Sequence, residues 1–387
     1  MSVFMRAIFS FVLIILTIVM FAFAAAAVFL VVFAEVNHSR FFAFGFIALF
    51  ISVFLLMRHF TSDEGHPAWW SFLFLLVAGG FFAFSYVASP TGVTETSAPG
   101  FESVYTGKVA YPRWHPANLI AERDQARLAV TLAAYTGDDY DDSRGADARL
   151  ALKTTYEALG YHSEELGDYG SQLYTCYNEM IGLPNSELHR YVYRSPKGNE
   201  KAKMPVLLLL HGSGGNLKGG LWALKGLADE IGMAIVAPTF SCGNWEGDAG
   251  VERIEEALGF CERQKDFDGS AVVLAGYGTG GVGVNRAAVA MPGKFRGFVH
   301  IASKFTTKTT EEMSNSGVLG KAPILVMHGA DDRLIRIDDV EAGVNGLKRW
   351  RLPVTYQRFE EDGAMLLFQR SEDVCHRIAT WMKSWRG

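Results

Sequence analysis

The chain has 387 residues, a formal net charge of −5 and 49% apolar residues. That length accommodates a membrane part and one large globular domain. The mildly acidic balance offers no electrostatic footprint for a nucleic-acid partner. The four cysteines, Cys176, Cys242, Cys261 and Cys375, match no zinc spacing and are too sparse for a disulfide framework. One or two disulfides fit that count, and the spacing does not choose between them. No motif calls for a metal or another cofactor.

The apolar excess lies at the N-terminus. Three stretches, about residues 7–34, 41–57 and 68–88, have the length and composition of membrane spans, the second being the shortest. Trp69 and Trp70 open the third, where interfacial aromatics collect. The patch Ala22 to Ala27 resembles a signal-peptide cleavage site. The apolar run before it is longer than a signal core, and two further spans follow, so the first span is read as uncleaved. Small residues at Ala24 to Ala27 and Gly79-Gly80 allow close helix packing. Arg6 and Arg58 fall on one side and Arg40 on the other. The positive-inside rule then places the N-terminus in the cytoplasm and everything after Ser89 outside it. For a Gram-negative source this means an inner-membrane protein with a periplasmic C-terminal domain. The expected partners are the lipid bilayer and other membrane or periplasmic proteins.

Residues 1–89 are thus expected to form a transmembrane region, and 90–187 a linker and helical connecting region. Pro90 to Pro112 is rich in Thr, Ser, Gly and Pro. Helical periodicity follows over Leu119 to Tyr135, with Asn118 as N-cap, then over Asp147 to Leu159 and Ser171 to Ile181. Asp138-Asp139-Tyr140-Asp141-Asp142 lacks the spacing and glycine of a calcium-binding EF-hand loop and reads as a solvated acidic loop. The three helices either add a layer to the following domain or dock it on the membrane part.

From 188 to 387, short apolar runs alternate with helical patterns. Strands are expected over Leu188 to Arg194, Pro205 to Leu210, Ala234 to Pro238, Ala271 to Ala275, Gly297 to Ile301, Pro323 to His328 and Val354 to Phe359. Helices are expected over Leu217 to Ile231, Val251 to Gln264, Val282 to Ala290 and Asp373 to Trp385. This alternation predicts an α/β domain, a mostly parallel sheet with helices on both faces.

Between one strand and one helix stands Gly276-Tyr277-Gly278-Thr279-Gly280-Gly281, with the G-x-S-x-G spacing of a nucleophile elbow. The strand ending at Leu210 runs into His211-Gly212-Ser213-Gly214-Gly215, like the turn that supplies an oxyanion-hole N–H. The strand before Gly329-Ala330-Asp331-Asp332 ends like the turn that carries a triad acid, and Glu361-Asp362-Gly363-Ala364-Met365 follows the last strand. On these motifs residues 188–387 resemble the α/β-hydrolase superfamily, in its esterase and dienelactone-hydrolase-like branch. The resemblance implies a nucleophile at 278, an acid at 332 and a histidine at 364. Here those positions hold Gly278, Asp332 and Ala364, and only the acid is kept. It also implies oxyanion-type donors at Gly212, Ser213 and Thr279.

A nucleophile must offer oxygen or sulfur, and a base must take its proton. Gly278 and Ala364 do neither, and loss of a triad costs about a million-fold in turnover. The paired loss points to a pseudohydrolase, a membrane-anchored binding or assembly subunit. Glycine at the tip is expected to relieve backbone strain and a Cβ clash. The competing reading is an ester or amide hydrolase with a relocated nucleophile or base. Its candidates are Ser213, Cys242, His211 and His300, with Ser241, Ser303 and Thr279 nearby. Each also has a structural reading: histidines preceding glycine at strand ends, a bridged or buried cysteine, and Asp332 as an acceptor organising its loop. His376 lies too far along the closing helix to replace the missing histidine.

Overall fold

The structure is a computed structural model that describes residues 3–61, 69–91, 100–106, 113–136, 142–162, 166, 169–183, 189–198, 202–305, 311 and 322–386. Tyr140 and its acidic neighbours at 138, 139 and 141 lie outside the described residues. The chain forms two compact units, Met1–Thr91 with Pro112–Leu132, and Gly92–Tyr111 with Ala133–Gly387.

The first unit contains α1 (Val3–Phe33), α2 (Asn37–Thr61), α3 (Trp69–Ala88), the short α4 (Pro116–Leu119) and α5 (Glu122–Thr136) up to Leu132. Asn37–His59 and Trp69–Ala88 are long and apolar enough to cross a membrane, and only 22% and 17% of these stretches are buried. Helices that are apolar yet exposed differ from the core helices of a soluble protein. By the same measure α1 contributes the shorter apolar stretch Ile18–Phe33.

Polar groups from 113–127 close the ends of these helices. The Asp124 carboxylate accepts the N–H groups of Glu35 (2.9 Å) and Val36 (3.3 Å), just ahead of α2. It does the work of an N-cap from far along the chain. Arg127 pairs with Glu35 at 2.7 Å, and Arg113 donates to the carbonyls of Val87 (2.9 Å) and Ser89 (3.1 Å) behind α3. Residues 113–132 therefore belong with the apolar helices rather than with a separate connecting region. Asn118 does not cap the helix expected from Leu119: that helix, α5, begins at Glu122, and Asn118 is buried within the short α4, whose N-cap is His115, with its ring accepting the Ala117 N–H at 3.2 Å.

The second unit is built on an eight-stranded sheet, β1 (Phe101–Tyr105), β2 (His189–Arg194), β3 (Met204–Leu210), β4 (Ala234–Pro238), β5 (Phe267–Tyr277), β6 (Gly297–Ile301), β7 (Ile324–Gly329) and β8 (Val354–Phe359). The order is β1-β2-β4-β3-β5-β6-β7-β8. β3 to β8 run parallel, β2 is antiparallel to β4, and β1 is antiparallel to β2 with Phe101 opposite Tyr193. β1 lies inside the stretch expected to be a linker. The residues Ser103 and Tyr105 face partners on β2, and the Ser103 hydroxyl lies 2.9 Å from the His189 ring.

The other elements are α6 (Asp142–His162), α7 (Leu173–Met180), α8 (Lys218–Ala223), α9 (Lys225–Ile231), α10 (Asp248–Arg263), α11 (Gly280–Ala290), α12 (Ile337–Arg349), α13 (Leu366–Gln369) and α14 (Ser371–Arg386). The single helix expected over 217–231 is two, α8 and α9, broken at Leu224. Val206, Leu208 and Leu210 share one core with Ile254, Leu258, Val284, Val340 and Val344 of α10, α11 and α12. The intervening Leu207 and Leu209 are also buried, and the pleat sends them to the opposite face. Burial on both faces explains why these strands read as unbroken apolar runs. Each such side chain contributes about 1.5–3 kcal/mol.

α6 packs against α8 and α13, which makes it a layer of this unit. The segment leading to α7 is fixed by buried polar groups. Lys218 donates to the carbonyls of Leu166 (3.1 Å) and Tyr169 (2.7 Å), and Asn216 donates to Gln172 (2.9 Å) and to the Ala237 carbonyl (2.8 Å).

Candidate functional site

After β3 the chain goes to β4 on one side and then to β5 on the other, so the sheet order reverses around β3. Such a switch point leaves a crevice at the carboxyl ends of the strands. The turn His211–Gly215 follows β3 and the turn at Gly278 follows β5, so both flank this crevice.

The β5 turn is sharp. Gly278 has φ of +55°, and its N–H donates to the Ile301 carbonyl at 3.1 Å. α11 begins two residues later. The turn is pressed against β3, since a Cβ on Gly280 would meet the Leu210 carbonyl oxygen at 2.2 Å. A Cβ on Gly278 would meet only the Cα of Gly212, at 3.6 Å. The expected Cβ clash at the tip is therefore absent, and only the left-handed backbone favours glycine there.

The two later loops reach the same place. The Asp331 N–H donates to the Asp362 carbonyl at 3.0 Å, joining the β7 and β8 loops. The Tyr277 hydroxyl donates to the Ala364 carbonyl at 2.7 Å, joining the β5 turn to the β8 loop. Gly278 and Ala364 line one cleft of about 780 Å³ together with Gly212, Ser213 and Thr279. A strand, a tight turn with positive φ and a helix carry position 278. An HG-type turn lies beside it, and positions 332 and 364 follow in chain order on a mostly parallel sheet.

The fold is that of the α/β-hydrolases.

No family model matches the chain, and no curated protein matches it. Among solved structures it is similar to a thermostable esterase, at 16% identity and a TM-score of 0.41, over 51% of this chain and 60% of that one. It is also similar to FphF, a fluorophosphonate-binding serine hydrolase of Staphylococcus aureus, at 15% identity and 0.45, over 51% and 92%. An S-formylglutathione hydrolase from Agrobacterium tumefaciens matches at 15% and 0.42, over 50% and 90%. The likeness is one of fold and carries no chemistry to this chain.

Of the expected site residues in the hydrolase-fold unit, Ser213 and Thr279 lie in the cleft, with their hydroxyls 3.2 Å apart. Asp332 is buried. One of its oxygens accepts the N–H groups of Leu334 (3.0 Å) and Ile335 (2.9 Å), so it organises its own loop. The other lies 3.8 Å from His328, whose Nε2 donates to the Ile335 carbonyl at 2.8 Å.

Cys242 is not a nucleophile: it forms a disulfide with Cys176 of α7. His211 is not a base for the cleft. Its Nε2 accepts the Phe240 N–H at 3.0 Å, which puts the proton on Nδ1 for the Gly212 carbonyl at 2.9 Å. Burial pushes its pKa down to about 4. His300 is fully buried beneath α11, against Phe305, and burial pushes its pKa down to about 3. Ser303 is buried and donates to the Gly276 carbonyl at 2.7 Å. Ser241 has φ of +43° in the turn before the disulfide. Cys261 and Cys375 are buried free thiols raised to about 12 by burial, and are inert.

Lys304 stands in no motif and carries no spacing signal. It follows β6, its N–H donates to the Gly278 carbonyl at 3.2 Å, and its exposed side chain lines the cleft. A second cavity of about 490 Å³ shares Ser213, Thr279 and Lys304 with the first.

Proposed function

We propose that this chain is a membrane-anchored pseudohydrolase that binds a ligand or partner through the retained cleft and does not turn over esters. The observation that carries this reading is the cleft itself. The elbow backbone and its neighbouring loops are in place, yet positions 278 and 364 carry no group able to attack or to take a proton. The Ser213 hydroxyl faces Thr279, and the nearby histidines are buried in structural roles. Among the described residues no histidine lines the cleft, so an ester or amide hydrolase using Ser213 would have to draw its base from another side chain.

The disulfide supports placing this unit outside the cytoplasm. Cys176 and Cys242 are bridged, and the two unpaired cysteines are buried, a pattern that suits an oxidising compartment. Taking α1 as a third span, and with the Arg6 and Arg58 bias, we place the N-terminus in the cytoplasm and, for a Gram-negative bacterium, the C-terminal unit in the periplasm, anchored in the inner membrane. The role we assign is a subunit that presents the cleft to a partner or ligand at the membrane surface.

A fluorophosphonate probe and p-nitrophenyl ester hydrolysis test the proposal on the full-length chain. The expected outcome is no labelling and no turnover above buffer. Labelling or turnover abolished by Ser213→Ala would replace this reading with that of a relocated hydrolase.

A further inference from the structure

Lys304 stands where the two cavities meet. Its main chain is held to the elbow tip through the Gly278 carbonyl, and its ammonium makes no hydrogen bond or ion pair among the described residues. The Ser213–Thr279 hydroxyl pair shares this junction. Two hydroxyls facing each other have two protons and use one between them, so one remains to donate outward. On either side the lining turns apolar, with Tyr277, Phe305 and Met365 in the larger arm and Met180, Trp245 and Val282 in the smaller. Each of the two cavities falls in the range of small-molecule sites, about 300–1,000 Å³.

We infer that the cleft takes an amphiphile whose head carries a standing negative charge, in the simplest case a carboxylate, with apolar portions in the arms. This rests on the binding reading above. An ammonium and a free hydroxyl proton are donors without a fixed acceptor, and a carboxylate accepts from both by charge-assisted bonds. Partial enclosure by apolar walls strengthens those bonds relative to water. The acids do not oppose it at the junction. Asp339 and Glu246 are exposed and each lines only one arm, not the shared junction, and one Asp332 oxygen is engaged by its own backbone. An amine head would meet Lys304 and be repelled, and a neutral head would leave the ammonium without a partner.

The test uses the full-length chain in nanodiscs and a diazirine-bearing decanoate as photoprobe, with labelled residues located by mass spectrometry. Competitors are decanoate, decanol and decylamine, identical but for head charge. The inference expects labelling in the two arms, displaced about tenfold more effectively by decanoate than by decanol, and least by decylamine. Lys304→Gln, an exposed substitution, should lower labelling by about tenfold and abolish the preference for decanoate over decanol. If decanol competes as well as decanoate, or Lys304→Gln keeps the preference, the cleft binds amphiphiles and the anionic head is wrong. If none of the arms is labelled while the chain retains its circular dichroism, the ligand-binding reading fails, and this inference with it.

Discussion

A Cβ built on Gly280 would stand 2.2 Å from the carbonyl oxygen of Leu210, whereas one built on Gly278 meets nothing nearer than 3.6 Å. The two residues sit two apart in one turn. Gly280 is fixed by packing, because α11 crosses β3 too closely for any side chain. Gly278 is not: a side chain there would point into the cleft. The tip therefore has room for a side chain, and only its left-handed backbone opposes one. Position 364 repeats the lesson, since its loop is held at the elbow by Tyr277 while its side chain is a methyl.

The largest expected effect tests the packing half of this comparison. Gly280→Ala should cost more than about 3 kcal/mol, because a backbone carbonyl has to move to admit the methyl. Gly278→Ala should cost about 1 kcal/mol, from backbone conformation alone. Denaturant melts of the two variants check the ranking. Equal losses would mean that the tip is as tightly packed as its neighbour.

The next effect concerns three histidines that this unit holds in its core. His189, His211 and His300 are buried and held neutral, with pKa values pushed down to about 3, 4 and 3. Burial is the main cause for each, and Arg190 adds to it at His189. Unfolded, each titrates near 6.5. Between about pH 4 and 6.5 the unfolded chain binds protons that the folded chain refuses. Stability is therefore full above pH 6.5 and lost as pH falls below it. At pH 5 the loss is about 2 kcal/mol per histidine. A pH series of melting curves should show the decline, and a flat profile from pH 7 to 5 would mean that these rings are not held neutral.

Much of this unit was legible because buried parallel strands are continuous apolar runs. Gly297–Ile301 and Val354–Phe359 have the bounds expected of them. β1 was not legible: Phe-Glu-Ser-Val-Tyr is half polar, as an edge strand is, and lies among Ser, Gly and Thr. The break at Leu224 was hidden because the apolar pattern runs through it. In the site, the spacing of glycines and loop motifs located positions 278, 332 and 364. The Cys176–Cys242 bridge spans 66 residues and has no local signature. Lys304 is a single lysine after a strand, and only the fold brings it to the elbow.

The smallest expected effect on stability carries the most information about the cleft. Gly278→Ser should fold with a loss of about 1 kcal/mol, since there is room for the side chain and only φ of +55° opposes it. Its hydroxyl would enter the cleft beside Thr279 with no histidine among the described lining residues to activate it, so the single variant should not react with a fluorophosphonate. Ala364→His adds an imidazole to the loop that Tyr277 holds against the elbow. Asp332 follows in the adjoining loop, but one of its oxygens is set toward His328 and the other is spent on Leu334 and Ile335. The new histidine would thus act with weak orientation from the acid. Slow labelling by the double variant, above both the parent and Gly278→Ser, is the expected result. Labelling by Gly278→Ser alone at the rate of the double variant would show that the cleft already holds a base. The pseudohydrolase reading would then give way to that of an enzyme lacking only its nucleophile.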